Sequence, residues 1–429
     1  LNIDIIREQC KKAETPFYVF DTDELKKRIW KIKSKLPEGT ELAFAMKANP
    51  FLIKAAIQDV ERLEICSYGE FRICKTLGVR PQKMLISGVL KKRDELIDML
   101  SYGGSDSIFT AESVQQYEIM AEWARENQIM IHVYPRLTND SQFGMDRSDI
   151  EMLLDRDDPF MKIEGLHYFS GTQKRNFKNI YKELEDTYDT VRDLNENFGA
   201  DIDTIEFGPG FRVDYFENKG EEPDPMSVSD EEWQELSGLI EKIQKKFAVR
   251  LEMGRFIAAS SGCYVLKVCD IKHNNGIDYA ITDGGIHQIN YDGQIKGMYK
   301  PVIEHLKMDR DIDISDAKDR DINTGEKKGK STDSSETGQN KNGEKKTWTI
   351  AGSLCTMNDI LVRNLELEDL RCNDCLVFEN TGAYSVTEGM AVFLSHELPT
   401  VYLMSEESGL KLVRQKFETY RLNTMNGEN

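Results

Sequence analysis

The chain has 429 residues, 39% apolar and 9% aromatic, enough for a substantial core and for more than one ordinary domain. A net charge of −19 argues against a nucleic-acid surface, because gripping phosphates takes clustered Lys and Arg. There is no run near the ~18 apolar residues of a membrane helix, no apolar leader in LNIDIIREQCKKAETP, and eight scattered Cys. The expectation is a cytoplasmic protein with reduced thiols and with no membrane or nucleic-acid partner. Cys372 and Cys375 are the one close Cys pair; with no second pair or spaced His nearby, no metal site is expected.

In chain order, TPFYVFD (15–21) reads as a strand outside the regular series that begins at residue 42. That series consists of eight short apolar, β-rich runs: LAFAMKA (42–48), LEICSY (63–68), MLISG (84–88), SIFTA (107–111), MIHVYPRL (130–137), IEGLHYF (163–169), TIEFGP (204–209) and VRLEMG (249–254). Helical patterns lie between them. Ser67 with Glu70 reads as a capping box, and 112–126 and 177–198 carry apolar residues at helical spacing. Strands alternating with helices imply a parallel sheet, and eight such units suggest a closed (β/α)8 barrel over residues 22–265. An open doubly wound sheet is the alternative. The barrel is preferred because the polar residues of interest sit at the C-terminal ends of the runs.

Beyond residue 265 the texture changes. YVLKVCDIK, DYAITDGG, KKTWTIAG, DCLVFENTG and MAVFLS read as strands without long helices between them. Residues 1–21 and 266–429 are therefore expected to form one discontinuous, mainly β domain. Residues 309–346 lack aromatic residues and are rich in Asp, Lys, Ser, Gly and Asn; they read as a disordered insertion.

The chemistry-bearing residues cluster at the ends of the runs. Lys47 closes the first run among apolar neighbours, and a buried amine there has the lowered proton affinity that covalent chemistry with a carbonyl needs. FSGTQ (169–173) and GPGF (208–211) place small residues where backbone N–H groups can approach an anion, with the Thr172 hydroxyl alongside. In LEMGRF (251–256), Glu252 and Arg255 bracket Gly254: an arginine for a phosphate, a carboxylate for a ring nitrogen, or simply a local ion pair.

Taken together the pieces resemble the fold-type III pyridoxal-phosphate decarboxylases that act on diaminopimelate, ornithine and arginine. AMKAN (45–49), CSYGE (66–70), GLHYFSGTQ (165–173), EFGPGF (206–211), EMGR (252–255), AGSLCTMNDIL (351–361) and TGAYS (381–385) follow the family's motifs in order over nearly the whole chain. The resemblance implies an alanine-racemase-like fold, a barrel plus a C-terminal β domain joined by the N-terminal strand. It implies pyridoxal 5'-phosphate bound covalently by Lys47, with its phosphate held by Thr172, Gly210, Arg255 and Tyr384, its ring nitrogen paired with Glu252, His167 and Phe169 beside the ring, and Gly208 and Gly254 as further cofactor-binding positions. It further implies a homodimer in which Cys355, Thr356 and Asp359 reach the partner's site, Cys355 as a catalytic residue and the other two toward substrate.

Some positions depart from the family pattern. Phe169 replaces a histidine that stacks on the cofactor, and Pro209, lacking an N–H, stands in the glycine triplet. Thr356 stands where diaminopimelate decarboxylases carry Glu, and 283–302 lacks their Arg-Pro element. GTQ (171–173) with an aromatic before it, together with LCT (354–356) followed by Asp359, resembles the decarboxylases of aminoacyl groups tethered to a carrier protein. The expected activity is thus amino-acid decarboxylation, diaminopimelate-like, with a carrier-bound substrate as the alternative. A racemase or a non-catalytic cofactor-binding protein is the reading from another class.

Overall fold

The computed structural model describes residues 2–217, 227–308 and 345–425. Among these, nine strands form a parallel sheet: β2 (Glu41–Ala45), β3 (Arg62–Ile65), β4 (Met84–Ile86), β5 (Ile108–Ala111), β6 (Ile131–Pro135), β7 (Met161–Ile163), β8 (Gly165–Phe169), β9 (Thr204–Gly208) and β10 (Ala248–Met253). The order β7-β6-β5-β4-β3-β2-β10-β9-β8 brings the two ends together. Only Glu164 separates β7 from β8, so the two are halves of one interrupted staff. The upstream half pairs with β6 and the downstream half with β9, and the Arg136–His167 bridge closes the gap. The barrel of eight staves expected from the sequence is present.

The break has a local cause. Gly165 lies so close to the Tyr134 ring that a Cβ would overlap it, and the Glu164 carbonyl turns to accept the N–H groups of Asp203 and Thr204 at 2.9 and 3.1 Å. Helices 114–127 and 177–198 match the expected patterns. The capping box is incomplete: Ser67 accepts the Glu70 N–H, but the Glu70 carboxylate takes the N–H of Cys66, one residue before the cap.

The second sheet is mixed. It contains β1 (Phe17–Asp21), β11 (Gly262–Asn274), β12 (Ile277–Thr282), β13 (Ile303–Leu306), β14 (Lys345–Ala351), β15 (Ile360–Glu368), β16 (Cys375–Phe378), β17 (Thr400–Ser405) and β18 (Gly409–Arg414). Strand β1 lies inside it, antiparallel to β11 and parallel to β17. Its alternation sends Tyr18 and Phe20 into the core shared with the barrel, and Phe17 and Val19 into a smaller core under the helix Ile3–Lys12. MAVFLS is not a strand. Leu394 and Ser395 take left-handed φ values of 55° and 57°, and Val392, Phe393 and Leu394 stay on the surface, so an apolar run that reads as sheet is an exposed turn. Residues 309–344 of the expected insertion lie outside the described residues, and Lys345 and Lys346 open β14. Among the described residues, no helix is long and apolar enough to cross a membrane, and no cluster of three or more metal-ligating side chains occurs.

Candidate active site

The C-terminal ends of the barrel strands surround a cleft lined by Lys47, Phe169, Thr172, Gly210, Glu252, Gly254, Arg255 and Tyr384 among others. Eight of the thirteen positions singled out from sequence therefore converge. Lys47 follows β2 on a short turn, and Gly254 is wedged against Ala45 and Ala48, which fixes that turn against the end of β10.

On one side is a cradle built of small residues. Gly210 takes φ +64°, and a Cβ there would run into the Gly171 carbonyl oxygen. The Arg255 guanidinium reaches Thr172 Oγ1 at 3.4 Å and Tyr215 OH at 3.1 Å, and lies 4.4 Å from the Tyr384 ring centroid. Tyr384 itself has φ +66°, and its N–H donates to the Ala48 carbonyl at 2.7 Å, tying the 381–385 turn to the lysine's own turn. Backbone amides, a hydroxyl and an arginine around a space too tight for side chains suit a phosphate.

Opposite stands Lys47. Its Nζ lies 2.7 Å from Glu64 Oε2, 3.2 Å from Cys66 Sγ and 5.8 Å from the Phe169 ring centroid. The protein encloses it, yet 33% of its side-chain surface stays open to the cleft. Burial works against its charge, but Glu64, Cys66, Glu252 and Tyr384 outweigh burial and hold the amine well above its ordinary range. The lowered proton affinity expected from sequence is therefore reversed in the unliganded protein, because Glu64 stands beside the amine and favours its charged form.

The His167 ring is buried behind Glu252. Burial first, then Arg136, pushes it down to about 3, so a neutral imidazole donates Nε2–H to Glu252 Oε2 at 2.9 Å. Phe169 lies flat enough against β9 that a Cβ on Gly208 would strike its ring; Gly208 makes room for Phe169 and is not part of the cradle. Arg136, fixed by Glu112 at 2.7 Å, donates to the Phe169 carbonyl at 3.2 Å.

Three expected residues lie elsewhere. Cys355 is exposed, Thr356 is half-buried, and neither lines the cleft. Asp359 is 2% exposed, and its two oxygens accept the N–H groups of Ile286 and Leu354 at 2.9 and 2.7 Å. It braces the Cys355 loop against the 284–286 turn. Sequence reasoning missed Glu64, Cys66, Glu112 and Arg136. A glutamate inside the apolar run LEICSY was the available signal, since buried carboxylates are rare without a partner.

Residues 22–259 match the family model described as "Pyridoxal-dependent decarboxylase, pyridoxal binding domain". The L-glutamyl-[BtrI acyl-carrier protein] decarboxylase of Niallia circulans is 26% identical, over 95% of this chain and 92% of that one. The diaminopimelate decarboxylase of Aquifex aeolicus is 23% identical, over 96% and 91%. The crystal structure of diaminopimelate decarboxylase from Helicobacter pylori complexed with L-lysine superposes with a TM-score of 0.74 at 19% identity, covering 97% of this chain and 99% of that one.

Proposed function

This chain belongs to the pyridoxal-dependent decarboxylases, and from that footing we propose that its substrate is an amino acid whose far end is an acyl linkage, as on a carrier protein. It is a pyridoxal-phosphate-dependent amino-acid decarboxylase with the barrel and sheet of that fold. The residues present fit the cofactor: a cradle that one added Cβ at Gly210 would fill faces an open amine across a single cleft.

Pyridoxal phosphate, when bound, supplies an electron sink for the pair released as CO₂ departs. Lys47 would hold it through Nζ, and Thr172, Gly210, Arg255 and the 381–385 turn would hold its phosphate. Glu252, oriented by the His167 Nε2–H, would keep a proton at the ring nitrogen, and Phe169 would exclude water from the cleft. Glu64 would hold the Lys47 amine in place beside the substrate.

Cys355 lies outside its own chain's cleft on a loop where Met357 is 94% exposed. That placement supports a homodimer in which Cys355 Sγ of a second copy returns a proton to the α-carbon.

The observation that carries the substrate reading is the 283–302 segment. It contains no arginine, and Tyr291, buried within it, donates its hydroxyl to the Glu379 carbonyl. No guanidinium from this segment is available to pair with a free carboxylate at the substrate's far end, whereas an ester or thioester carbonyl has no charge to neutralise. The glutamyl-carrier relative acts on such a substrate by name. The diaminopimelate relative, of similar coverage, supports free diaminopimelate as the second reading. The test is CO₂ release from diaminopimelate, lysine, ornithine, arginine, glutamate and glutamyl-carrier thioester. Turnover at least about tenfold faster on the thioester is expected; diaminopimelate as the fastest substrate would overturn the proposal.

A further inference from the structure

Ser87 has no part in the roles set out above, and Cys66 none beyond its contact with Lys47, yet both touch the carboxylate that grips Lys47. Glu64 is 3% exposed and uses both oxygens. Oε2 faces Lys47 Nζ at 2.7 Å, while Oε1 accepts from Cys66 Sγ and from Ser87 Oγ, each at 2.8 Å. The four residues come from the ends of three adjacent strands, β2, β3 and β4. The backbone at Cys66 is itself fixed, because its N–H donates to Glu70 Oε2 at 2.7 Å. Burial and then Glu64 push the Cys66 thiol well above its ordinary range, so it stays protonated and acts as a donor.

A carboxylate with one oxygen held by two donors cannot turn away from the group at its other oxygen. We propose that Cys66 and Ser87 are positioning residues that lock Glu64 against Lys47 and thereby set the pH at which the lysine nitrogen gives up its proton. The inference rests on the reading of Lys47 as the cofactor-binding amine. The proton leaves Lys47 Nζ for solvent as the pH rises, and the Glu64 carboxylate facing it at 2.7 Å opposes that loss. The other titratable or charged groups around the cluster are Glu252 and Tyr384, which face Lys47 from β10 and the 381–385 turn, and Glu70, which faces Cys66 from the helix after β3. Lys91 faces Cys66 and Glu64 from the loop after β4, and His167, Glu112 and Arg136 lie beyond it. Removing a donor from Oε1 leaves these in place and frees only the carboxylate.

The test is the visible absorbance of the lysine-bound cofactor in the holoenzyme, titrated against pH. Glu64→Gln removes the anion and should lower the midpoint by about one pH unit or more. Cys66→Ala and Ser87→Ala should each lower it by about half a unit, and Cys66→Ser, which restores a donor, should stay within about 0.2 of wild type. Wild-type midpoints in both alanine variants would overturn the proposal. So would a Cys66→Ser midpoint displaced as far as that of Cys66→Ala, since packing would then be the cause. Lys47→Ala is the separate control: if it keeps the band, the reading of Lys47 fails, whatever the other variants do.

Discussion

Two of the barrel's cation–carboxylate pairs, one in its lower half and one at its mouth, differ in their access to solvent. Arg250 on β10 meets Glu206 on β9 at 3.0 Å in direct register; the side chains are 7% and 0% exposed, and Glu41 and Tyr134 complete the arginine's partners. At the mouth, Glu64 is as deeply buried, but Lys47 keeps a third of its surface open. A sealed pair can only hold neighbouring strands in register, because nothing can reach it to exchange a proton. A pair with one open partner keeps a reactive amine fixed in place, ready for a ligand that competes for it. Exposure of one atom, more than the identity of the charges, separates the scaffold from the chemistry.

Variants at each end test this division. Lys47→Ala should abolish cofactor attachment and cut turnover at least about a thousandfold; CO₂ release and visible absorbance check it. Arg250→Met strands a buried carboxylate and should cost about 3–5 kcal/mol in urea unfolding while leaving the absorbance of the folded fraction intact. If that variant lost its cofactor with no loss of stability, the division would collapse.

Smaller effects sharpen the contrast. Gly210→Ala forces a side chain onto the Gly171 carbonyl at a left-handed φ, and should weaken cofactor binding by about ten- to a hundredfold in fluorescence titration. His167 is neutral in the folded protein down to about pH 3, whereas the unfolded chain takes up its proton near 6.5. The unfolded state therefore binds more protons between those limits, and stability falls as pH drops from about 6.5 toward 3. His167→Asn should flatten that decline by up to about 1.4 kcal/mol per pH unit in chemical denaturation at stepped pH.

Much of the barrel was legible in the sequence, because strands buried on both faces read as continuous apolar runs. All eight staves overlap the expected runs, though several begin one or two residues earlier, and the lysine, the glycine cradle and Glu252–Arg255 stood at their ends. The break at Glu164 was not legible, since it depends on Tyr134, thirty residues upstream, lying across Gly165. Nor was the Glu64 cluster, which needs the register of β2, β3 and β4 before its members become neighbours. MAVFLS misled because an apolar, β-branched run looks the same whether it pairs in a sheet or lies on the surface. The bracing contacts of Asp359 were not legible either, because backbone amides of its own chain are partners that sequence motifs do not display.

The placement of β1 bears on how the chain comes to be made. Residues 17–21 leave the ribosome early, but the strand they must lie against in parallel spans 400–405. Throughout synthesis of the barrel, Phe17, Tyr18, Val19 and Phe20 have no lasting partner, and an unpaired apolar strand is a ready nucleus for aggregation. The helix Ile3–Lys12, which packs beside this strand in the finished protein, is made before it and is at hand when the strand emerges.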